Sequence, residues 1–186
     1  VNASNLLVWG QGDDGIDIDQ AYSGTITNAM VVLTDASDHA FEIDGPEGSG
    51  LGSFTINGAT IIGTNDDCSP TGVDGEMADY RKGATGSTNN IYAKDFTEGK
   101  DVELDASADA ATYTAGTLTF ANWDIQYPLA DDDSVCTGEA INKIFDDKVD
   151  ASTFEADAAN WAEIVTAKKA DAGADESAFA WTFYKQ

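Results

Sequence analysis

The sequence predicts an all-β solenoid, in which short parallel strands stack as the rungs of successive coils. The first observation is a four-residue pattern of alternating apolar and charged residues that returns along the chain. Strict alternation is typical of a half-buried strand whose apolar side chains face the core. The four copies are Ile16-Asp17-Ile18-Asp19, Phe41-Glu42-Ile43-Asp44, Ala78-Asp79-Tyr80-Arg81 and Val102-Glu103-Leu104-Asp105.

A second series of similar segments alternates with the first. It places Asn28, Gly58, Asn90 and Asn122 at equivalent points about 30 residues apart. Periods of 20 to 50 residues indicate solenoids, propellers or arrays, and short strands with no helix between them favour a β-solenoid. The segments are Thr25–Val32, Thr55–Ile62, Ser87–Lys94 and, more loosely, Thr119–Ile125.

The coils occupy residues 1–127, with Gly, Asn, Asp and Ser at the corners. Residues 1–11 are interpreted as the end of an earlier coil. Because a β-solenoid does not leave an apolar stacking face open, we expect further coils upstream of Val1.

Residues 128–186 are predicted to be an acidic loop followed by a small C-terminal helical cap. Apolar residues from Ile141 to Val165 recur at helical spacing, and Ser152 with Glu155 forms a capping-box pattern. The apolar segment Phe179–Tyr184 is expected to be a strand or tail laid back on the body.

The charge excludes two classes of partner. Nine Lys and Arg residues against 34 Asp and Glu residues give a formal net charge of −25. That charge argues against nucleic acid and against an anionic membrane surface. No apolar run approaches the roughly 20 residues of a membrane-spanning helix. A solvated acidic surface and a cation-binding surface both remain open.

Stacking of the first series predicts a ladder of carboxylates. In register, neighbouring rungs lie about 4.8 Å apart, and like charges that face each other destabilise a sheet. Arg81 can neutralise its own neighbours. No base is expected in register with the remaining acids, Asp17, Asp19, Glu42 and Asp44. Bound Ca²⁺ would resolve the repulsion. The candidate calcium ligands are Asp13, Asp14, Asp17, Asp19, Glu42 and Asp44.

The two cysteines are a candidate disulfide. Cys68 and Cys136 each lie in a polar loop that follows the same type of strand, and neither has a histidine nearby in sequence. A Cys68–Cys136 disulfide would place the protein outside the cytoplasm. The alternative is two free thiols.

Catalysis by paired carboxylates is the alternative function. Asp13 with Asp14, or Asp17 with Asp19, can serve as the acid and base of a glycosidase, as in acid-rich β-helices that hydrolyse or eliminate polysaccharides. A strongly acidic surface would repel polyuronates. The residue types of Ser37-Asp38-His39 match a triad, but sequence neighbours cannot form its geometry. Aromatic residues that can stack on sugar rings are Trp9, Tyr22, Tyr92 and Tyr113.

Several segments resemble the later coils of a family of large secreted cell-surface proteins of Bacteroidota. They are Gly12–Gly24, Ser37–Gly48, Phe54–Gly63 and the terminal Phe179-Ala180-Trp181-Thr182. The resemblance covers about two-thirds of the chain. It implies a right-handed parallel β-helix and an extracellular location, and it brings no activity with it.

Asp133-Ser134-Val135 fits the pattern on which such bacteria attach O-glycans, which makes Ser134 a candidate glycosylation site. The function predicted from the sequence is a cell-surface structural or adhesive β-helix module, stabilised by calcium and not catalytic. Its expected partners are surface glycans or other surface proteins. The alternatives are a carbohydrate-active or glycan-binding β-helix and a subunit of a larger surface assembly.

Overall fold

A computed structural model describes residues 1–19, 21–64, 75–99, 101–128, 136 and 138–182. Within these residues, eleven strands form two sheets in which every paired neighbour is parallel. Consecutive strands along the chain alternate between the two sheets from β1 to β11. Each pair of strands therefore contributes one rung to each sheet.

The first sheet has six strands in the order β1-β3-β5-β7-β9-β11. Its first member is the segment predicted to end an earlier coil. The strands are β1 (Ala3–Trp9), β3 (Thr25–Val32), β5 (Phe54–Ile62), β7 (Gly86–Lys94), β9 (Leu118–Gln126) and β11 (Ala162–Ile164).

The second sheet has five strands in the order β10-β8-β6-β4-β2. Its strands are shorter because each carries only the apolar and acidic alternation. They are β2 (Ile16–Ile18), β4 (His39–Asp44), β6 (Glu76–Arg81), β8 (Val102–Leu104) and β10 (Phe145–Asp147).

The register predicted from both repeat series is confirmed. In the five-stranded sheet, Ile18 pairs with Ile43, Ile43 with Tyr80, and Tyr80 with Leu104. The segments of the six-stranded sheet pair in the predicted frame as well. A slip of one residue would turn each apolar side chain to the solvent, so the alternation selects one register.

The equivalent points of the second series share one backbone conformation. Each has a φ angle between 54° and 76°, the left-handed region in which Asn and Gly are the least strained residues. Asn5 in β1 is a further member, and its side chain accepts a hydrogen bond from Asn28 Nδ2 at 2.6 Å. The members are Asn5, Asn28, Gly58, Asn90 and Asn122, here called the left-handed column.

The core lies between the two sheets. Tyr80 of the five-stranded sheet is fully buried and its hydroxyl is 2.6 Å from Thr88 Oγ1 of the six-stranded sheet. This hydrogen bond satisfies two polar groups in an otherwise apolar interior. Towards β10 and β11 the core becomes aromatic, with Phe120, Phe145, Phe154 and Trp161 in mutual ring contact.

One helix lies between strands, where the sequence interpretation expected none. Helix α1 (Ser107–Thr114) connects β8 to β9. The Asp109 carboxylate accepts hydrogen bonds from the backbone N–H groups of Gly83 at 2.7 Å and Ala106 at 3.1 Å. Ala-rich sequence favours a helix, and Asp109 joins its first turn to the preceding coil.

The helical spacing after residue 140 was a misleading signal. The described residues after 140 form two one-turn helices, α2 (Ile141–Ile144) and α3 (Phe154–Asp157), and two 3₁₀ turns (Ala158–Asn160 and Glu176–Phe179). Segments this short cannot sustain a helix alone, and β10 and β11 gain hydrogen bonds from the edges of the existing sheets.

The predicted capping box is wrong. Helix α3 begins at Phe154, and Ser152 Oγ donates instead to Asp147 Oδ2 at 2.6 Å. Asp147 follows Leu104 in the inward column, and its carboxylate also accepts from the backbone N–H groups of Val149, Ala151 and Ser152. A buried carboxylate thus ends the apolar stack by binding the next turn.

The described part of the final segment lies back on the body, as predicted, while residues 183 and 184 of the predicted tail fall outside the described residues. Residues 165–182 cross the outer side of the six-stranded sheet, where Phe179 is buried with Met30 and Ile62. Its backbone bonds to side chains of three successive strands, through Gly173, Ala174 and Asp175. Among the described residues, the longest helix has eight residues, so none meets the length and hydropathy of a membrane span.

Candidate functional site: the acidic face of the five-stranded sheet

The outward side chains of the five-stranded sheet form a continuous acidic column, here called the acidic face. Successive members pair in register from β2 to β10. Burial increases towards the middle of the column, where Asp79 is only 8% exposed. The column consists of Asp17, Glu42, Asp79, Glu103 and Asp146.

Arg81 joins two strands of this face. Its guanidinium donates to Glu42 and, through Nε at 2.8 Å, to Asp44 of the neighbouring β4. The same nitrogen lies 3.7 Å from Asp79 on its own strand. Lys82 Nζ contacts the other oxygen of Asp44 at 2.5 Å and Glu47 at 2.8 Å. Two bases therefore bind carboxylates of the preceding rung.

His39 lies at the start of β4 and binds the turn before β2. Its backbone N–H and its Nδ1 atom both contact Asp14 Oδ1, at 3.1 and 2.8 Å. Nδ1 is also 3.6 Å from Asp38 and 3.9 Å from Glu42. Burial opposes the charged imidazole, but the hydrogen bond to Asp14 and the charge of Asp38 outweigh it and raise the pKa of His39.

A second ionic group connects β8 to β10. Lys148 Nζ contacts Glu103 and lies 3.2 Å from Asp146 Oδ2. Asp101, Glu103 and Asp146 have carboxylate oxygens within 4.8 Å of one another. Burial, together with the charges of Glu139 and Glu103, raises the pKa of Asp101 to about 7.

The pKa values of the middle carboxylates diverge. Burial raises the pKa of Glu42 to about 7, assisted by the charge of Asp14, although Arg81 opposes the shift. Burial also raises the pKa of Asp79 to about 7. For Asp44, hydrogen bonds from Lys82 and Arg81 outweigh burial and lower the pKa. The face therefore holds neighbouring carboxyl groups that ionise at different pH, an arrangement found at functional sites.

The structure separates the six predicted calcium ligands into smaller sets. Asp19 and Asp44 have oxygens within 4.8 Å of each other and of Glu47. Asp14 instead groups with Asp38 and His39, and Asp13 is exposed on the turn. Asp17 is exposed on β2, in register with Glu42.

The expectation that Glu42 and Asp44 lack a base was wrong. Arg81 and Lys82 reach them because long side chains span from one rung to the next. Calcium binding at this face stays a prediction.

Sequence reasoning missed the second ionic group. Phe145-Asp146-Asp147 continues the column, but Asp147 stands where the earlier rungs have an apolar residue. The broken alternation hid the strand. Its remaining signal was the apolar and acidic pair Phe145-Asp146, which matches Val102-Glu103.

Two further predicted sites fall partly or wholly outside the described residues. Cys136 is described and is not a free thiol, and its backbone N–H donates to Pro128 at 2.9 Å. Cys68 and Ser134 lie outside the described residues. The disulfide and the glycosylation site stay predictions.

The aromatic and triad patterns receive structural explanations. Tyr92 is 3% exposed because Val165 and Ala172 cover it, whereas Trp9 is 53% exposed. Ser37 Oγ donates to the Gln11 carbonyl at 2.9 Å and accepts from Thr34 N–H at 3.0 Å. Ser37 therefore stabilises a coil corner.

Stacked parallel rungs in two sheets, with an ionic column along one of them, define a β-helix protein. A family model described as pectate-lyase-like β-helix domain matches residues 1–183. The chain belongs to this family. No curated protein and no solved structure shows significant similarity to it.

Proposed function

We propose that this chain is a structural or adhesive β-helix module of the cell surface, and that its acidic face holds the coils together. The observation that carries the proposal is the position of Arg81, which binds carboxylates of β4 from β6. Lys148 connects β8 and β10 in the same way. Bases that contact carboxylates across rungs offset the repulsion between stacked acids.

An extracellular location agrees with the charge and with the predicted disulfide. A formal net charge of −25 favours solubility and opposes non-specific association, which suits a surface exposed to a salty exterior. Disulfides persist in oxidising compartments, so a Cys68–Cys136 bond would support the same location.

Removal of Arg81 tests the structural role. Arg81→Gln leaves three carboxylates without their shared cation, and we expect the free energy of unfolding to fall by about 2–4 kcal/mol. Lys143→Gln, at an exposed helix position, is the matched control and should change stability by less than about 0.5 kcal/mol. Equal denaturation midpoints for wild type and Arg81→Gln would contradict the role.

Calcium stabilisation is part of the proposal and centres on Asp19, Asp44 and Glu47. Their oxygens are close enough to share a cation, and Lys82 is the base with which Ca²⁺ would compete. Melting with and without a chelator measures it, because an ion that binds only the folded state raises the midpoint by mass action. Asp19→Asn should abolish the calcium response, and an unchanged midpoint in the wild type would exclude a stabilising ion.

A carbohydrate-active β-helix is the second candidate, favoured by one observation. Glu42 and Asp79 pair in register, and burial raises the pKa of each to about 7, as a general acid requires. A reducing-sugar assay on a panel of neutral and acidic polysaccharides tests it. Activity that Glu42→Gln or Asp79→Asn abolishes, and Asp17→Asn retains, would establish this candidate in place of the non-catalytic one.

A further inference from the structure

A polar cleft of about 740 Å³ lies on the other sheet, away from the acidic face. Its wall combines the left-handed column, the turn before β11 and the first part of the C-terminal segment. The volume is within the range of small-ligand sites. Besides Asn90 of that column, the polar residues that line it are Asn122, Asp124, Asn160, Glu163, Lys169 and Asp171.

The cleft contains one buried acceptor without a partner. Asp124 is 6% exposed, and it lies outward because its neighbours Trp123 and Ile125 are in the core. Its Oδ1 atom accepts a hydrogen bond from Lys169 Nζ at 2.8 Å. Its Oδ2 atom is buried and has no hydrogen-bond partner among the residues that the structure describes. A buried carboxylate oxygen without a donor is costly, so a group that donates a hydrogen bond to it would be stabilised there.

The charges around this atom select the type of donor. Asp124, Glu163 and Asp171 contribute three carboxylates to the lining, against one ammonium group from Lys169. Lys169 Nζ also contacts Glu163 at 2.5 Å, which demonstrates how an ammonium group sits between two of them. The remaining local charge is negative, so anions are repelled and a second cation is attracted.

A metal ion is a poorer match to this cleft. Among the described residues, the sets of three ligating groups with atoms within 4.8 Å of one another lie on the acidic face and its turns, and Asp124 belongs to none of them. Ca²⁺ needs six to eight converging oxygens. One buried oxygen with separated carboxylates suits a donor that forms a few directed hydrogen bonds.

We propose that this cleft binds a ligand with a primary ammonium group, which donates to Asp124 Oδ2 and is flanked by Asp171. An amino sugar and a small polyamine share that chemistry. The inference rests on the proposed function, because a location at the cell surface would expose the cleft to ligands of this kind. The two fail separately, because the structural role is tested by unfolding at Arg81.

Binding is tested by NMR titration of the ¹⁵N-labelled full chain at physiological ionic strength with glucosamine, putrescine and N-acetylglucosamine. We expect saturable shifts at Asp124 and Asp171 with the two amines and much weaker binding of N-acetylglucosamine, which lacks the charge. Saturation by glucosamine alone identifies the amino sugar as the source of the ammonium group. Equal binding of N-acetylglucosamine, or no saturation by either amine, would overturn the proposal.

Variants around the cleft are expected to change the affinity for glucosamine in opposite directions. Asp124→Asn should weaken glucosamine binding about tenfold or more, and Asp171→Asn, at an exposed position that cannot disturb the core, should weaken it severalfold. Lys169→Gln should tighten binding, because it frees Oδ1 and removes a like charge. Asp17→Asn removes the same charge from the acidic face and should leave binding unchanged. Equal weakening by Asp17→Asn would mean attraction to the net charge alone and would refute the site.

Discussion

Asn28 and Asp175 are 147 residues apart in sequence and form two hydrogen bonds with each other. Asp175 N–H donates to Asn28 Oδ1 at 2.6 Å, and Asn28 Nδ2 donates to the Asp175 carbonyl at 3.4 Å. Asn90 makes the same pair of contacts with Gly173. Side-chain amides of the left-handed column thus satisfy backbone groups of the C-terminal segment, which lies outside the two sheets at these points.

Asn28→Gly should loosen the C-terminal segment without straining the strand. Gly58 already occupies the equivalent point of the next rung with a φ angle of 76°, so the backbone accepts glycine. The variant loses three side-chain hydrogen bonds, one to Asn5 and two to Asp175. We expect the loss of the two bonds to Asp175 to accelerate amide exchange at residues 173–176 about tenfold, as measured by hydrogen–deuterium exchange.

Asn122→Gly is the matched control for that change. Asn122 has a φ angle of 54°, and its side chain donates to Asn89 at 3.0 Å. Both variants gain the same backbone entropy in the unfolded chain. Acceleration of equal size at residues 173–176 in both variants would show that Asn28 does not hold the segment.

Phe179→Ala should detach the end of the segment. Phe179 is fully buried with Met30 and Ile62, and truncation of a buried Phe costs about 3–5 kcal/mol. We expect faster proteolytic cleavage between residues 165 and 182 while the strands stay intact by circular dichroism. Trp181→Ala, at a side chain that is 80% exposed, should change the cleavage rate little.

Stability should fall as the pH rises from about 4.5 to 8. Burial raises the pKa of Glu42, Asp79 and Asp101 to about 7, so in this range the folded chain binds more protons than the unfolded chain. The raised pKa of His39 acts in the same direction, because its stabilising charge is lost as pH rises. Asp44 has a lowered pKa, so its contribution to stability is lost only below this pH range and does not change the slope within it.

We expect the free energy of unfolding to be roughly 1–3 kcal/mol lower at pH 8 than at pH 5. Urea denaturation across this range measures it. Asp79→Asn should make the profile shallower, because one of the three carboxyl groups with a raised pKa no longer titrates. A profile that is flat or rises with pH would show that these carboxyl groups do not have raised pKa values in the folded chain.

The predicted disulfide gives a simple mass measurement. Unfolded protein treated with iodoacetamide should keep its mass without a reductant and gain two adducts after reduction, one for each cysteine of the chain. Two adducts without reduction would contradict the Cys68–Cys136 bond.

The strands of both sheets were predictable wherever a local pattern repeats. Ile16, Ile18 and their equivalents alternate with acids, and this period fixes which face each residue occupies. Helix α1 was missed because Asp109 acts through backbone groups of Gly83 and Ala84 in another coil. Strand β10 was missed because Asp147 replaces an apolar residue and has its partners in the following turn.

The candidate site was predictable in its residues but not in its partners. The acids of the column and the position of Arg81 follow from the register. That Arg81 binds backwards to Glu42 and Asp44 depends on side-chain conformation, and that Glu42 and Asp79 share a raised pKa depends on burial. Asp124 carried no sequence signal, since its surroundings come from three separate segments.

The sequence alone determined the coil repeat, the register and the acidic face. In each copy of the repeat, the alternation of apolar and acidic residues fixes which face of the strand each side chain occupies. Only the tertiary structure decided where the described C-terminal segment lies, which carboxylates are neutralised and which buried oxygens of the described residues, Asp124 Oδ2 among them, have no donor. Those outcomes depend on contacts between residues far apart in the chain, such as Asn28 with Asp175 and Asp124 with Lys169, and no local pattern encodes them.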